Sequence, residues 1–260
     1  MELRDFARTV LETEDLAAKL APPREPLTDE RPAPAWRAEG PGRPPGLRPV
    51  PGLKVEVPSI EGMPDPAQRP RILHALANHE LQAAELFAWA LLAFPDAPPA
   101  FRQGLAAILQ DEQRHTRMYI ARLEDAGARF GDFPVNFYFW NKAVHIRSPL
   151  DFICAMSLTF ENANLDHTVD YAKAARRAGD PKTAAVIAQV HRDEIEHVRF
   201  GWTWLQMWKG ESESAWDVWQ RHLTWPLRPF RARGTRFHRE GREAAGLDAD
   251  FIQRLKEARR

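Results

Sequence analysis

Residues 111–115 read Asp-Glu-Gln-Arg-His, and residues 193–197 read Asp-Glu-Ile-Glu-His. Both stretches place a glutamate directly after an aspartate and three positions before a histidine. On an α-helix, two side chains at this spacing share a face, so each pair can aim a carboxylate and an imidazole at one point. Chance would supply roughly 0.04 copies of this motif in a chain of this composition. The repeat therefore predicts two helices that each carry a pair of metal ligands.

A further glutamate precedes each motif at nearly the same distance. It is Glu80, 32 residues before Glu112, in the first half and Glu161, 33 residues before Glu194, in the second. A four-helix site for two metal ions takes one glutamate from each of two helices and a Glu-x-x-His pair from each of the other two. Such donors suit iron or manganese, so we predict two iron ions, or manganese with iron. The predicted ligands, which are also the predicted catalytic residues, are Glu80, Glu112, His115, Glu161, Glu194 and His197.

Glu85 is an alternative to Glu80, because both lie on the same predicted helix. The equal spacing of the two halves favours Glu80. Ala83 and Ala84 would also leave room beside Glu80 for a metal ion.

The aspartate that opens each motif is a candidate for support of the ligands. A histidine that binds metal through one ring nitrogen usually donates the other N–H to a carboxylate. Asp111 and Asp193 can accept that hydrogen bond, on their own helix or across to a neighbouring one. The alternative is that each is a solvated neighbour.

Three other positions share the faces that carry the ligands. Tyr119 lies one turn after the first histidine and can bond to a ligand, be oxidised to a radical, or simply pack. Asn164 lies three residues after the glutamate of the third helix and can orient a bound water. Gly201 lies one turn after the second histidine. We expect it to open space for a substrate or oxygen pocket.

Prolines and glycines delimit four long helices. An N-cap residue followed by a proline suits the first turn of a helix, and a glycine suits its end. The starts are Asp65-Pro66, Ser148-Pro149 and Asp180-Pro181, and the ends are Gly127, Gly179 and Gly210. The predicted helices lie near 66–94, 98–126, 149–178 and 181–209.

The rest of the chain forms two flanking segments in this prediction. Residues 1–65 are a short helix and a proline-rich strap packed on the bundle, residues 66–209 are the four-helix di-metal bundle, and residues 210–260 are a basic helical appendage. The strap carries possible apolar anchors at Trp36, Val55, Val57 and Ile60. The appendage has Trp216, Trp219, Trp225 and a helix that opens near Asp248. The fold class is all-α.

Composition limits the classes of site and the cell compartment that we expect for the protein. One cysteine, Cys154, excludes an internal disulfide and a Cys-x-x-Cys site. The sequence has no membrane span and no secretory signal, which predicts a cytoplasmic protein. The formal net charge is zero, but residues 221–260 hold eleven Lys/Arg against five Asp/Glu. This basic tail either meets an anionic partner such as nucleic acid or folds back onto the acidic body.

The order of the six ligands resembles that of the ferritin-like di-iron carboxylate superfamily, over residues 66–209. The stretch from His79 to Ala83 resembles the first-helix motif of demethoxyubiquinone hydroxylase, and the Asp-Glu-x-x-His pair is similar to that of bacterial multicomponent monooxygenases. The flanks, at 229–233 and 245–247, resemble a bacterial branch near the tRNA hydroxylase of modified adenosine. The resemblance implies a ferritin-like four-helix bundle. Tyr119 matches the radical tyrosine of the small subunit of ribonucleotide reductase, but Glu80 stands where many of its members have aspartate.

The resemblance also implies a function. It predicts an oxygen-activating di-iron oxidoreductase of the hydroxylase or monooxygenase type, which acts on a small molecule or a modified nucleoside. Such an enzyme needs an electron donor protein or another reductant, and a homodimer is a possible assembly. The alternatives are a ferroxidase or iron-storage protein, and a helical interaction module without catalysis. Long flanking segments argue against a storage cage, which is built from compact bundles.

Overall fold

The computed structural model describes residues 1–30, 33–223 and 226–259. Every regular element within these ranges is helical, which confirms the all-α prediction; an isolated bridge joins Glu2 and Thr28. None of the helices in these ranges combines the length and the apolar character that a membrane span requires. The chain forms two compact units, residues 1–144 and residues 145–260. The predicted boundaries at residues 65 and 209 separate the bundle from its flanking segments, and they stay a prediction.

Unit 1 is built around two long helices. Its elements are α1 (Leu3–Glu12), α2 (Leu16–Leu20), α3 (Arg69–Ala93), α4 (Pro99–Asp125) and α5 (Trp140–Ala143), with 3-10 turns at Pro45–Leu47 and Ile60–Gly62. Only residues 94–98 join α3 to α4, so the two helices run antiparallel. The second half of α3 is buried almost all round, because α1 and α4 both pack on it. Polar side chains on that half therefore need partners.

Two of the four predicted apolar anchors of the proline-rich strap are exposed. Trp36 and Val57 are 37% and 40% exposed. Instead Leu47 packs in a small core with Leu20, and the Arg43 side chain is buried against α3. The prediction is wrong for these two side chains, whereas Val55 and Ile60 are half-buried, and the buried Arg43 adds a point of attachment that the prediction lacked.

Unit 2 contains the other two long helical segments. Its elements are α6 (Pro149–Ala155), a π-helix (Met156–Glu161), α7 (Asn162–Arg177), α8 (Pro181–Trp208), α9 (Ala215–His222), a 3-10 turn (Pro229–Ala232), α10 (Arg239–Ala244) and α11 (Ala249–Glu257). The α7 and α8 helices pack on each other, and α6 packs on α8. Trp225, which the sequence analysis assigned to the C-terminal appendage, lies outside the described residues.

Local chemistry explains most helix ends. The side chains of Ser148 and Asp180 accept hydrogen bonds from the backbone N–H of Asp151 and Thr183, which confirms both predicted N-caps. Gly127 and Gly179 have φ of 82° and 72°, as left-handed helix stops require. The start predicted at Asp65 is wrong. Its carboxylate accepts from Ala67 N in a turn, and α3 begins four residues later.

The predicted continuous helix at 149–178 is interrupted by the π-helix. Within it, the Thr159 hydroxyl donates to Cys154 O, five residues back, at 2.6 Å. A hydrogen bond of a π-helix spans five residues instead of four, and this extra residue rotates the positions that follow relative to an ideal α-helix. The π-helix ends on Glu161, so the direction of this predicted ligand depends on it.

The basic C-terminal segment folds back onto α7 of its own unit. The Arg242 guanidinium bonds to both Asp166 oxygens, at 2.7 and 2.9 Å, and both side chains are fully buried. Asp166 also accepts from the backbone N–H of Gly234 and His238. Part of the tail charge is thereby matched within unit 2.

Candidate metal centre

Unit 1 brings three of the predicted ligands together. The His115 Nδ1 atom lies 3.6 Å from an oxygen of Glu80 and 3.4 Å from an oxygen of Glu112. The three residues offer ligand atoms that all lie within 4.8 Å of one another. All three side chains are buried. We call Glu80, Glu112 and His115 the first triad.

The electrostatics of the first triad disfavour a second negative charge. Burial raises the pKa of the Glu80 carboxyl to about 8, and the neighbouring Glu112 carboxylate adds to this rise, whereas His115 lowers the pKa. An ionised Glu80 carboxylate therefore costs free energy in this buried place unless a cation lies beside it.

Unit 2 holds a second group of the same composition. The His197 Nδ1 atom lies 3.8 Å from an oxygen of Glu161 and 3.9 Å from an oxygen of Glu194. All three side chains are buried. We call Glu161, Glu194 and His197 the second triad. In each triad the same ring nitrogen, Nδ1, lies nearest the carboxylates.

Both triads fit a metal ion by spacing and by donor type. Two ligand atoms that each lie about 2.0–2.2 Å from one ion are about 3–4 Å apart. The shorter histidine-to-carboxylate distances of the two triads, 3.4 and 3.8 Å, fall in that interval. Two carboxylates with an imidazole are a donor set for a divalent transition metal. Each buried cluster could therefore hold a metal ion.

The structure separates the roles of the two rival glutamates on α3. Glu85 accepts from Arg43 Nη2 at 2.6 Å and from the Trp140 indole at 3.0 Å, and Lys19 Nζ lies 3.3 Å away. The side chains of Glu85, Arg43 and Lys19 are all buried. Glu80 lies beside the histidine of the first triad instead. The sequence showed the charges of the strap but no sign that one of them would be buried on Glu85.

Asn164 contacts a ligand of the second triad. Its side-chain amide donates to Glu194 Oε1 at 3.0 Å. A carboxylate held in this way has one oxygen oriented by the protein. The predicted role for Asn164 was to orient water, whereas its contact here is with a glutamate.

The predicted aspartates have contacts on their own helices. The Asp111 carboxylate pairs with Arg114 at 2.6 Å, and Asp193 accepts from Gln189 at 3.0 Å. Tyr119 is buried, with 1% of its surface exposed. The proposed support of the triad histidines by these side chains stays a prediction.

Gly201 does not open space, contrary to the prediction. A Cβ built on Gly201 would lie 2.3 Å from the Ser157 Cβ and 3.4 Å from the Leu158 Cγ. The π-helix approaches α8 so closely at this point that only a hydrogen fits between them. The missing side chain therefore allows close packing of the two helices, and the Ser157 side chain occupies the space directly beside Gly201.

We expect Gly201→Ala to lower the free energy of unfolding by about 1–3 kcal/mol, because neither the helix nor the short serine side chain can yield without backbone movement. Urea titration with circular dichroism measures this loss. A second change, Ser157→Gly, should restore most of it in the double variant. The matched control is Gly241→Ala, where the new Cβ meets nothing closer than 3.5 Å. Equal stability of the two single variants would contradict the packing argument.

Comparison with known proteins assigns the chain to a family. The chain belongs to the family described as "Protein of unknown function (DUF455)", whose sequence profile matches residues 3–253. No curated protein and no solved structure matches the chain. The family assignment thus covers both units and both triads.

Proposed function

We propose that this member of the DUF455 family is an oxygen-activating di-iron oxidoreductase of the hydroxylase or monooxygenase type. One observation carries the proposal: each unit holds a buried triad of two glutamates and one histidine, with the same histidine nitrogen nearest the carboxylates. In such an enzyme the two triads would together hold the two ions, as in a ferritin-like centre. The resemblance of the six-ligand order to that superfamily supports this step.

Charge balance supports two divalent ions. Four carboxylates contribute a charge of about −4 and neutral histidines contribute none, so two divalent ions would leave the buried centre neutral. Without cations, burial opposes ionisation, as the raised pKa of Glu80 illustrates. Manganese in place of one iron meets the same requirement.

The residues of the chain would hold, orient and shield the metals. The triad glutamates supply oxygen ligands, and His115 and His197 supply nitrogen ligands. Asn164 keeps one oxygen of Glu194 in a fixed direction. The buried side chains exclude bulk water from the ligands. Iron bound there would supply one-electron exchange and a place for oxygen to bind, with electrons delivered by an external reductant.

Metal content tests the proposal. We expect roughly two iron ions per chain after anaerobic Fe²⁺ loading, and their loss in Glu112→Ala/His197→Ala, which removes one ligand from each triad. The control is Glu196→Ala/His222→Ala, which removes a glutamate and a histidine that pair outside the triads, with Arg199 and Asp151. Elemental analysis gives the stoichiometry. No iron in the wild-type protein would overturn the proposal.

Two further readouts separate the proposed function from its alternatives. Magnetic coupling between the ions, detected by electron paramagnetic resonance or Mössbauer spectroscopy, is expected only if both triads share one centre. Oxygen uptake with a reductant should then depend on an organic substrate. Uptake of iron far beyond two ions per chain would favour storage instead.

A further inference from the structure

The hydroxyl of Ser157 has no hydrogen-bond partner within the described part of the chain. The residue is fully buried, at 0% exposure. A buried hydroxyl without a partner costs about 1–3 kcal/mol, and in a native protein it usually marks a bound water, ion or ligand. The other hydroxyl on the π-helix, that of Thr159, is satisfied by Cys154 O. Of the two hydroxyl groups on the described π-helix, that of Ser157 is therefore the one left unexplained.

The position of Ser157 relates it to the second triad. It precedes Glu161 by four residues on the π-helix, which is about one turn. Its Cβ lies against Gly201, which follows His197 by four residues on α8, also about one turn. Glu161 and His197 are themselves 3.8 Å apart. The contact between Ser157 and Gly201 thus lies about one turn from the contact between Glu161 and His197. Both contacts are made between the same two helical segments.

We propose that Ser157 Oγ donates a hydrogen bond to a small exogenous ligand, such as water, hydroxide or an oxygen-bearing group, held by a metal ion at the second triad. This inference rests on the proposed function. Ser157 is then a positioning residue: it does not bind the metal but orients what binds there. The close approach at Gly201 fixes the serine backbone, and the hydroxyl gains in the loaded protein the partner that it lacks among the described residues.

Azide serves as the probe, because it binds oxidised iron and accepts hydrogen bonds as an oxygen ligand does. The wild-type protein, Ser157→Ala and Thr159→Val are loaded with iron, oxidised and titrated with azide by absorption spectroscopy. We expect the dissociation constant of azide to rise about tenfold in Ser157→Ala, the effect of one lost hydrogen bond. We expect no change in Thr159→Val, whose hydroxyl has an internal partner.

Two measurements distinguish this role from a structural one. Iron content should be equal in all three proteins. The metal-free Ser157→Ala protein should be at least as stable as the wild type, because the change removes an unsatisfied buried group, whereas Thr159→Val should be less stable. Equal azide affinity at equal iron content would overturn the inference and leave the di-iron proposal intact. Absence of iron from the wild type would overturn both.

Discussion

Replacing Glu85 by alanine is expected to lower the free energy of unfolding by about 3–5 kcal/mol, because the change leaves two buried cations without their shared anion. Arg43 bonds to this carboxylate at 2.6 and 2.8 Å, and Lys19 Nζ lies 3.3 Å from it. Burial already lowers the pKa of the Lys19 ammonium, and Glu85 opposes that effect. In the variant Lys19 can lose its proton and relieve part of the cost. Arg43 stays charged, since a guanidinium does not titrate in this range.

Equilibrium unfolding of the metal-free protein in urea measures the effect. The matched control is Glu80→Gln, five residues earlier on α3. Because burial raises the pKa of the Glu80 carboxyl to about 8, this group is protonated at neutral pH, and a glutamine resembles it closely. We expect this variant to keep the stability of the metal-free protein and to lose metal at the first triad. If Glu85→Ala were as stable as Glu80→Gln, the ion cluster would not hold the strap.

Replacing Asp166 by alanine is expected to cost a similar amount, about 3–5 kcal/mol, in unit 2. The carboxylate receives two bonds from Arg242 and one each from Gly234 N and His238 N. No other described residue offers Arg242 a carboxylate, since its remaining bonds go to backbone carbonyls. Loss of Asp166 would therefore release the segment from Ala232 to Arg242 from α7.

Limited proteolysis reports this release directly. We expect trypsin to cut after Arg236 and Arg239 faster in Asp166→Ala than in the wild type, together with the loss of stability in urea. The control is Asp170→Asn, one turn further along α7. Its contacts with Arg236 and His238 are longer, at 3.7 and 3.3 Å, and partly exposed, so we expect a loss below about 1 kcal/mol. Identical cleavage of both variants would contradict the assignment of Asp166 as the anchor.

Most of the helical framework was predictable from local chemistry. The N-caps at Ser148 and Asp180 and the stops at Gly127 and Gly179 depend on short-range hydrogen bonds and on φ, so they can be recognised in a window of a few residues. The triads follow the same logic, because the Glu-x-x-His spacing acts within one turn. The helix start predicted at Asp65 is wrong, because a carboxylate can accept a backbone hydrogen bond in a turn just as it does at the N-cap of a helix.

The sequence by itself determined that the chain is helical, that glutamates and histidines recur in two matched sets, and that Glu80 rather than Glu85 completes the first set by spacing. Tertiary structure alone decided the rest. The burial of Arg43 on Glu85 and the contact of Gly201 with Ser157 join positions from different elements, and the π-helix that ends on Glu161 lies where its segment packs on α8. The energies of these features depend on desolvation and close packing, which arise only when the elements meet. A local sequence pattern therefore cannot predict them.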